Sequence, residues 1–233
     1  MQVSIDKVIL IHPEIYTERL AKLDAVYPAC LPKYEIPYAL TGKDVTPPDW
    51  WLAPRNAWAL YENARNAVQS IKEDEVTLIL EDDCRFIDDF EDRLTAFLSN
   101  IPEDWDLLYL GWGDVYTKLY KPYQVNEHCL RLAYIQFTEA IIYNPASKYK
   151  ILEVLDTERW KNDYIRTHEY DQAYAHAVLR KKLNAYGPLK KICGQFGEDS
   201  TLRETKGSGE ASFLNSFQYR DLEGKLVTVE EDK

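Results

Sequence analysis

The sequence predicts an α/β sandwich built around a mostly parallel sheet. Three observations carry that expectation. Short, wholly apolar runs recur along the chain, as in strands covered on both faces: Val8-Ile9-Leu10-Ile11, Leu78-Ile79-Leu80 and Asp106 to Leu110. Segments with helical spacing lie between them. The alternation of the two is the signature of helices packed on both sides of a sheet.

The elements follow in order. Val8–Ile11 is a first buried strand, stopped by His12-Pro13. Glu14 to Val26 spaces Ile15, Leu20, Leu23 and Val26 as a helix. Tyr34 to Leu40 reads as a second strand, followed by a turn at Thr41-Gly42-Lys43-Asp44 and a loop rich in Pro and Trp to Pro54. Arg55 to Ile71 predicts a helix whose face is traced by Ala57, Leu60, Ala64, Ala67, Val68 and Ile71. Val76 to Leu80 is the clearest strand, and Asp88 to Leu98 reads as a helix. Asp106 to Leu110 is a strand ended by Gly111-Trp112-Gly113. Two further strands are expected at His128 to Tyr134 and Thr138 to Tyr143. A helix then runs from Pro145, with proline in the favoured first turn, to Leu155. Glu169 to Leu183 is a last helix, and Leu189 to Cys193 a short strand. Thr205 to Ser212 is small and polar, and Phe217 to Val229 patterns as a hairpin around Asp221-Leu222-Glu223-Gly224. The expected organisation is a main domain over 1–204 and a linker with a docking tail over 205–233.

Composition narrows the function. Of the 233 residues 45% are hydrophobic, which excludes a disordered chain. The four cysteines, Cys30, Cys84, Cys129 and Cys193, are too few and too scattered for a disulfide scaffold or a zinc finger. They read as reduced, mostly buried thiols. A net charge of -11 gains nothing from counterion release, so a nucleic acid is not expected as main partner. No apolar run reaches the ~18 residues of a membrane span, and the expectation is a soluble, cytoplasmic protein. GxGxxG, P-loop, HExxH and GxSxG motifs are absent.

The informative feature is Glu81-Asp82-Asp83, placed directly after the Leu78-Ile79-Leu80 run. In open α/β sheets, ligands bind beyond the carboxyl ends of the strands. Side chains alternate along extended chain, so Glu81 and Asp83 share a side and Asp82 takes the other. Paired carboxylates repel by several kcal/mol at ~4 Å and an effective dielectric of ~20. A hard cation such as Mn²⁺ or Mg²⁺, holding one or two carboxylates plus substrate phosphates, removes that repulsion. The same triplet also reads as an acidic turn capping the next helix.

In this setting Leu80-Glu81-Asp82-Asp83 resembles the acidic motif of the family 25 glycosyltransferases, the lipooligosaccharide and collagen galactosyltransferases. Other segments are similar in the same order: Ile9 to Arg19, Asp104-Trp105-Asp106-Leu107-Leu108-Tyr109-Leu110-Gly111, Ala133-Tyr134-Ile135 through Pro145 and Leu152, Glu169-Tyr170-Asp171, and Gly194-Gln195 to Ser200. Together they cover roughly residues 5 to 203. Before the acidic motif the helix reads Asn56-Ala57-Trp58-Ala59-Leu60-Tyr61, where the family carries a Ser-His pair.

The resemblance implies a GT-A-like, Rossmann-type fold and a metal-dependent, inverting hexosyl transfer. The donor would be a UDP-sugar (galactose or glucose) and the acceptor a hydroxyl of a glycan or glycoconjugate, as in lipopolysaccharide biosynthesis. Asp83 and Glu81 are the expected metal ligands, and Asp171 or Glu169 the base. The last two also read as acids favoured at a helix N-terminus. His12, Arg19, Glu81, Asp82, Gln195 and Ser200 are the expected donor-binding residues. Arg19 suits a diphosphate, since its fork matches phosphate oxygens. His168 is a further candidate phosphate or metal contact, while His176 reads as a structural histidine. Trp50, Trp51 and Trp112 fall in predicted loops and are candidates for stacking on a sugar. Two other functions fit parts of the sequence. A nucleotidyltransferase would share the carboxylate site but want a Gly-rich basic loop near the N-terminus. A non-catalytic glycan-binding protein would use the aromatics but not the acid pair.

Overall fold

The computed structural model describes residues 3–112, 120–161, 170–195 and 217–229. Glu169, Ser200, His168 and the polar stretch 205–212 lie outside the described residues. The chain alternates strands and helices as follows: β1 (Lys7–Ile11), α1 (Thr17–Val26), α2 (Arg55–Ser70), β2 (Thr77–Glu81), β3 (Cys84–Phe86), α3 (Phe90–Leu98), β4 (Leu107–Tyr109), β5 (Tyr123–Asn126), β6 (Cys129–Arg131), β7 (Ala140–Tyr143), α4 (Lys148–Val154), α5 (Asp171–Leu179), β8 (Ala185–Pro188), β9 (Cys193–Gln195), β10 (Phe217–Arg220) and β11 (Leu226–Val229).

Nine of these strands form one sheet in the order β1-β2-β7-β4-β8-β6-β5-β10-β11, and β3 pairs with β9 separately. Six of the nine (β1, β2, β4, β8, β5 and β10) run the same way, and β7, β6 and β11 run against them. Period-2 alternation divides the sheet's side chains between two cores. Ile9, Ile11, Ile79, Leu107, Tyr109, Ile141 and Tyr143 face a core completed by α2, α4 and α5. Val8, Leu10, Leu78, Leu80, Leu108, Ala140 and Ile142 face a second core closed by Leu23 of α1 and by Phe90, Leu94, Phe97 and Leu98 of α3. The result is a three-layer sandwich. It explains why β1, β2 and β4 read as unbroken apolar runs rather than alternating ones.

Three elements differ from the sequence reading. Tyr34 to Leu40 contributes only one parallel bridge, Glu35 to Ile9 at the sheet edge, with Leu10 N donating to Glu35 O at 2.9 Å and Glu35 N to Val8 O at 2.9 Å. Pro37 follows two residues on and has no N–H to extend the ladder. The strand expected at Leu189 to Cys193 is instead two strands, β8 before it and β9 at its end. Gly187 and Pro188 disguise β8. Pro188 is its last residue, and a Cβ on Gly187 would lie 2.7 Å from Cζ3 of Trp112. Trp51 and Trp112, expected on the surface, are buried. Trp51 packs edge-on against Trp58 at 5.0 Å between centroids, inside an aromatic cluster with Trp50, Tyr61 and Trp160. These two rings therefore serve the core and are closed to a ligand, whereas Trp50 is half-buried.

The C-terminal hairpin forms as patterned, with Gly224 at φ 81° supplying the left-handed turn residue. It joins the sheet through Arg220, whose N–H donates to Pro122 O at 3.0 Å. Phe217 and Tyr219 are buried in the α2-side core, and Phe217 lies edge-on to Trp112 at 5.4 Å. Replacing Phe217 by Ala removes most of a buried aromatic, at a cost of roughly 3 to 5 kcal/mol. At roughly 2 to 4 °C per kcal/mol for a chain of this size, the melting temperature should fall by about 6 °C or more. Calorimetry on the full-length variant checks this, and an unchanged melting temperature would mean that the hairpin is not docked.

The sheet has one chemically quiet end. Asp106, just before β4, is buried and fully used: Ser147 Oγ donates to it at 2.5 Å, Asn184 N at 2.6 Å, and Lys150 Nζ pairs with it at 2.5 Å. It ties β4, α4 and the entry to β8 together. The other acids gather at the opposite end.

Candidate functional site

Sheet order creates the site. Strands β1, β2 and β4 deliver their carboxyl ends to one edge, while β7, lying antiparallel between β2 and β4, delivers its amino end there. Glu81 ends β2 opposite Ile11 of β1, and its N–H donates to Glu139 O at 2.9 Å. Asp82 and Asp83 form the tight turn into β3. β3 pairs with β9 so that Cys84 faces Gln195, placing Gln195 across the ladder from the residue after Asp83. Asp171, the first residue of α5, is buried and accepts a hydrogen bond from Phe137 N at 3.1 Å.

Asp82 and Glu81 have separate hydrogen-bond partners. Asp82 is buried and paired twice, to His12 Nδ1 through Oδ2 at 2.9 Å and to Arg19 Nη1 through Oδ1 at 3.0 Å. It fastens the end of β1 and the start of α1 to the acidic turn. Arg19 also lies over the Tyr16 ring at 5.3 Å. The structure thus gathers His12, Arg19 and Asp82 into one hydrogen-bonded group beside the site, a neighbour for Arg19 that the sequence reading did not foresee.

Glu81 and Asp83 face a different set of groups. Thr138 Oγ1 donates to Glu81 Oε1 at 2.5 Å. Burial holds the Glu81 carboxyl well above the usual range, and Asp83, Glu139 and Asp82 push in the same direction against the Thr138 bond. Burial likewise raises Glu139 to about 8, with Asp83 and Asp171 adding to the rise and Lys191 opposing it. Glu139 is the residue that sequence reasoning missed. It is 3% exposed, and its Oε2 has no hydrogen-bond partner among the described residues. Gly111 makes room for it: a Cβ there would stand 2.8 Å from Glu139 Oε1 and 2.1 Å from Cys193 O. Lys191, itself buried, lies 5.4 Å from the Trp112 ring and 5.5 Å from that of Phe217.

The donor set is hard oxygen throughout, which suits Mg²⁺ or Mn²⁺ and not a soft metal. Among the described residues no three His, Cys, Asp or Glu side chains are arranged to hold a metal by themselves. A cation here would take two carboxylates and complete its shell with water and substrate oxygens, the usual habit of Mg²⁺. Cys84, Cys129 and Cys193 are buried free thiols and Cys30 is exposed. Cys84 Sγ donates to Glu139 O, so that thiol supports the site's backbone. His176 sits on α5 with its ring 5.8 Å from that of Tyr134.

The raised carboxyls make stability depend on pH. From the ordinary value of 4.5 up to about 8, native Glu139 keeps a proton that the unfolded chain has released. Stability therefore falls as pH rises through that window and levels above it. The groups facing Glu139 are Glu81, Asp83, Asp171, Lys191, Cys84, Cys193 and Tyr109. Glu139→Gln should flatten the fall, and the wild-type-minus-variant difference in melting temperature between pH 5 and pH 9 isolates its share. Parallel curves for the two proteins would remove Glu139 from this account.

No protein-family model and no curated protein matches the chain. Among solved structures the chain is similar to the apo-form glycosyltransferase GlyE of Streptococcus pneumoniae TIGR4, with 12% sequence identity and a TM-score of 0.43. The match covers 78% of this chain and 45% of that one, so this chain spans less than half of that protein's length. A likeness this loose carries no functional conclusion. No helix among the described residues is long and apolar enough to cross a membrane.

Proposed function

We propose that the chain is a metal-dependent, inverting glycosyltransferase of the family 25 type with a GT-A-like fold. It would move a hexose from a UDP-sugar to a hydroxyl of a glycan or glycoconjugate. The observation that carries this reading is the convergence of Glu81, Asp83, Glu139 and Asp171 at the carboxyl end of β2 and β4. There burial first, and the neighbouring acids after it, raise the carboxyls of Glu81 and Glu139. A bound cation would favour the ionised form of these carboxyls and, with them, a diphosphate ligand. The sequence motifs shared with family 25 support the same reading.

The roles follow from position. Asp83 and Glu81 would hold Mn²⁺ or Mg²⁺, which when bound neutralises charge on a leaving diphosphate. Thr138 holds Glu81 Oε1, fixing that carboxyl's orientation. Phe137 N–H holds Asp171 Oδ2, which orients the carboxylate that would take the proton of an attacking hydroxyl. The hydroxyl oxygen forms its bond to the anomeric carbon as the bond to the diphosphate oxygen breaks on the opposite side, which inverts that carbon. His12, Arg19 and Gln195 flank the turn and would contact the donor; Arg19 would do so while anchored to Asp82. Mass spectrometry on the full-length protein with UDP-galactose, UDP-glucose, Mn²⁺ and a panel of glycan acceptors tests the reading. Metal-dependent gain of a hexose by an acceptor is the expected result. Metal-dependent hydrolysis of nucleoside triphosphates in place of any sugar transfer would overturn it.

A further inference from the structure

Phe137 is out of place as a structural residue. Its ring is 40% exposed, and its backbone sits at φ 70°, one of two non-glycine residues with positive φ among those described. A bulky side chain in the left-handed region is uncommon and costs on the order of 1 kcal/mol relative to glycine. Two-fifths of the residue faces solvent, surface that core packing does not use. The strained turn does aim two neighbouring groups at the site: the Phe137 N–H binds Asp171, and the next residue, Thr138, binds Glu81. Glycine would serve both bonds without strain, so neither bond explains the ring. A second exposed aromatic stands beside the same loop. Tyr120, 38% exposed, stacks on Tyr134 at 5.5 Å and 26°, and Tyr134 OH donates to Gln172, the neighbour of Asp171, at 2.6 Å.

We infer that Phe137 is an acceptor-side platform whose ring covers the apolar C–H face of a pyranose ring. The inference rests on the glycosyl-transfer reading for the word acceptor, and on the geometry alone for the aromatic subsite. The Phe137 N–H holds Asp171 Oδ2 at 3.1 Å, so a sugar lying on the Phe137 ring lies beside that carboxylate. C–H faces of pyranoses suit an aromatic face, and the fixed ring pays little rotamer entropy on binding. The strain is then retained because it projects the ring outward while keeping the N–H on Asp171.

The test uses the full chain and three proteins: wild type, Phe137→Gly and Phe137→Trp. The probes are methyl β-galactopyranoside and methyl β-glucopyranoside, followed by saturation-transfer NMR with and without UDP and Mn²⁺. Wild type and Phe137→Trp should transfer saturation to the pyranose C–H protons. Phe137→Gly should bind the glycosides roughly tenfold more weakly. Its melting temperature reads whether the variant stays folded, because relief of the positive φ works against loss of the covered part of the ring. Absence of a pyranoside signal in wild type, or an equal signal in Phe137→Gly, would each overturn the platform. A fall in UDP affinity in Phe137→Gly would overturn it too, since the ring would then be stacking on the nucleobase. UDP binding to wild type is read separately. If no variant binds UDP while the pyranoside signal still depends on Phe137, glycosyl transfer fails and the aromatic subsite stands.

Discussion

Asp171→Asn should lower turnover by roughly two or more orders of magnitude, the scale set by losing a positioned general base. Asparagine keeps an oxygen for the Phe137 N–H, so the loop and the start of α5 should survive the change. What it loses is the ability to take a proton. Because a base of this kind meets the acceptor hydroxyl, affinity for UDP should change little, and the loss should sit in kcat. Steady-state transfer with the preferred UDP-sugar, together with UDP titration of the variant, separates the two. A variant with near-normal turnover would make Asp171 a residue of the helix N-terminus, and Glu169 would become the better candidate for the base.

The layers of the fold are legible in the sequence because they rest on local signals. The apolar runs of β1, β2 and β4 have both faces covered, and α2 carries its buried face at helical spacing, so each announces itself within a few residues. What escapes is what depends on distant chain. β3 is three residues long and acquires its pairing only from β9, more than a hundred residues on. β8 carries Gly187 and Pro188, which read as punctuation until Trp112 is seen to fill the space that a side chain would need. The tryptophans next to prolines and glycines read as loop residues, yet Trp51 and Trp112 are drawn inward by other aromatics that no local window contains.

The site divides the same way. Glu81, Asp82 and Asp83 are adjacent in sequence and legible as a cluster, but Asp82 and Asp83 lie in the turn into β3, so the turn and not strand alternation sets their partners. Glu139 is legible only as an acid before an apolar run. Its arrival beside Glu81 requires β7 to insert antiparallel between β2 and β4, and sheet order is not a local property. A signal was present nonetheless. Gly111 after β4 is a residue without a side chain at a strand end, and the space it leaves is taken by the Glu139 carboxylate and the Cys193 carbonyl. Asp82 shows the reverse case. Its charge is legible, but its His12 and Arg19 partners come from β1's end and α1, 70 and 63 residues away.

Asp83→Ala should abolish metal-dependent UDP binding while leaving the fold in place. Asp83 lies in a turn rather than inside a strand, so no ladder hydrogen bond depends on its side chain. Its removal also relieves a charge that raises both Glu81 and Glu139. Those carboxyls should then ionise at lower pH, and the metal-free variant should lose less stability than wild type as pH rises from 5 to 9. The two effects oppose each other in a useful way: the variant becomes easier to keep folded without a cation and worse at holding one. Glu81→Ala should weaken metal-dependent UDP binding by a smaller factor, because Asp83 remains, and should leave Thr138 Oγ1 in need of another acceptor. Calorimetric titration of UDP with and without Mn²⁺, on wild type and both variants, measures the difference. If folded Asp83→Ala binds UDP with unchanged, metal-dependent affinity, the cation is held elsewhere, and the acidic turn after β2 serves only to close the turn into β3.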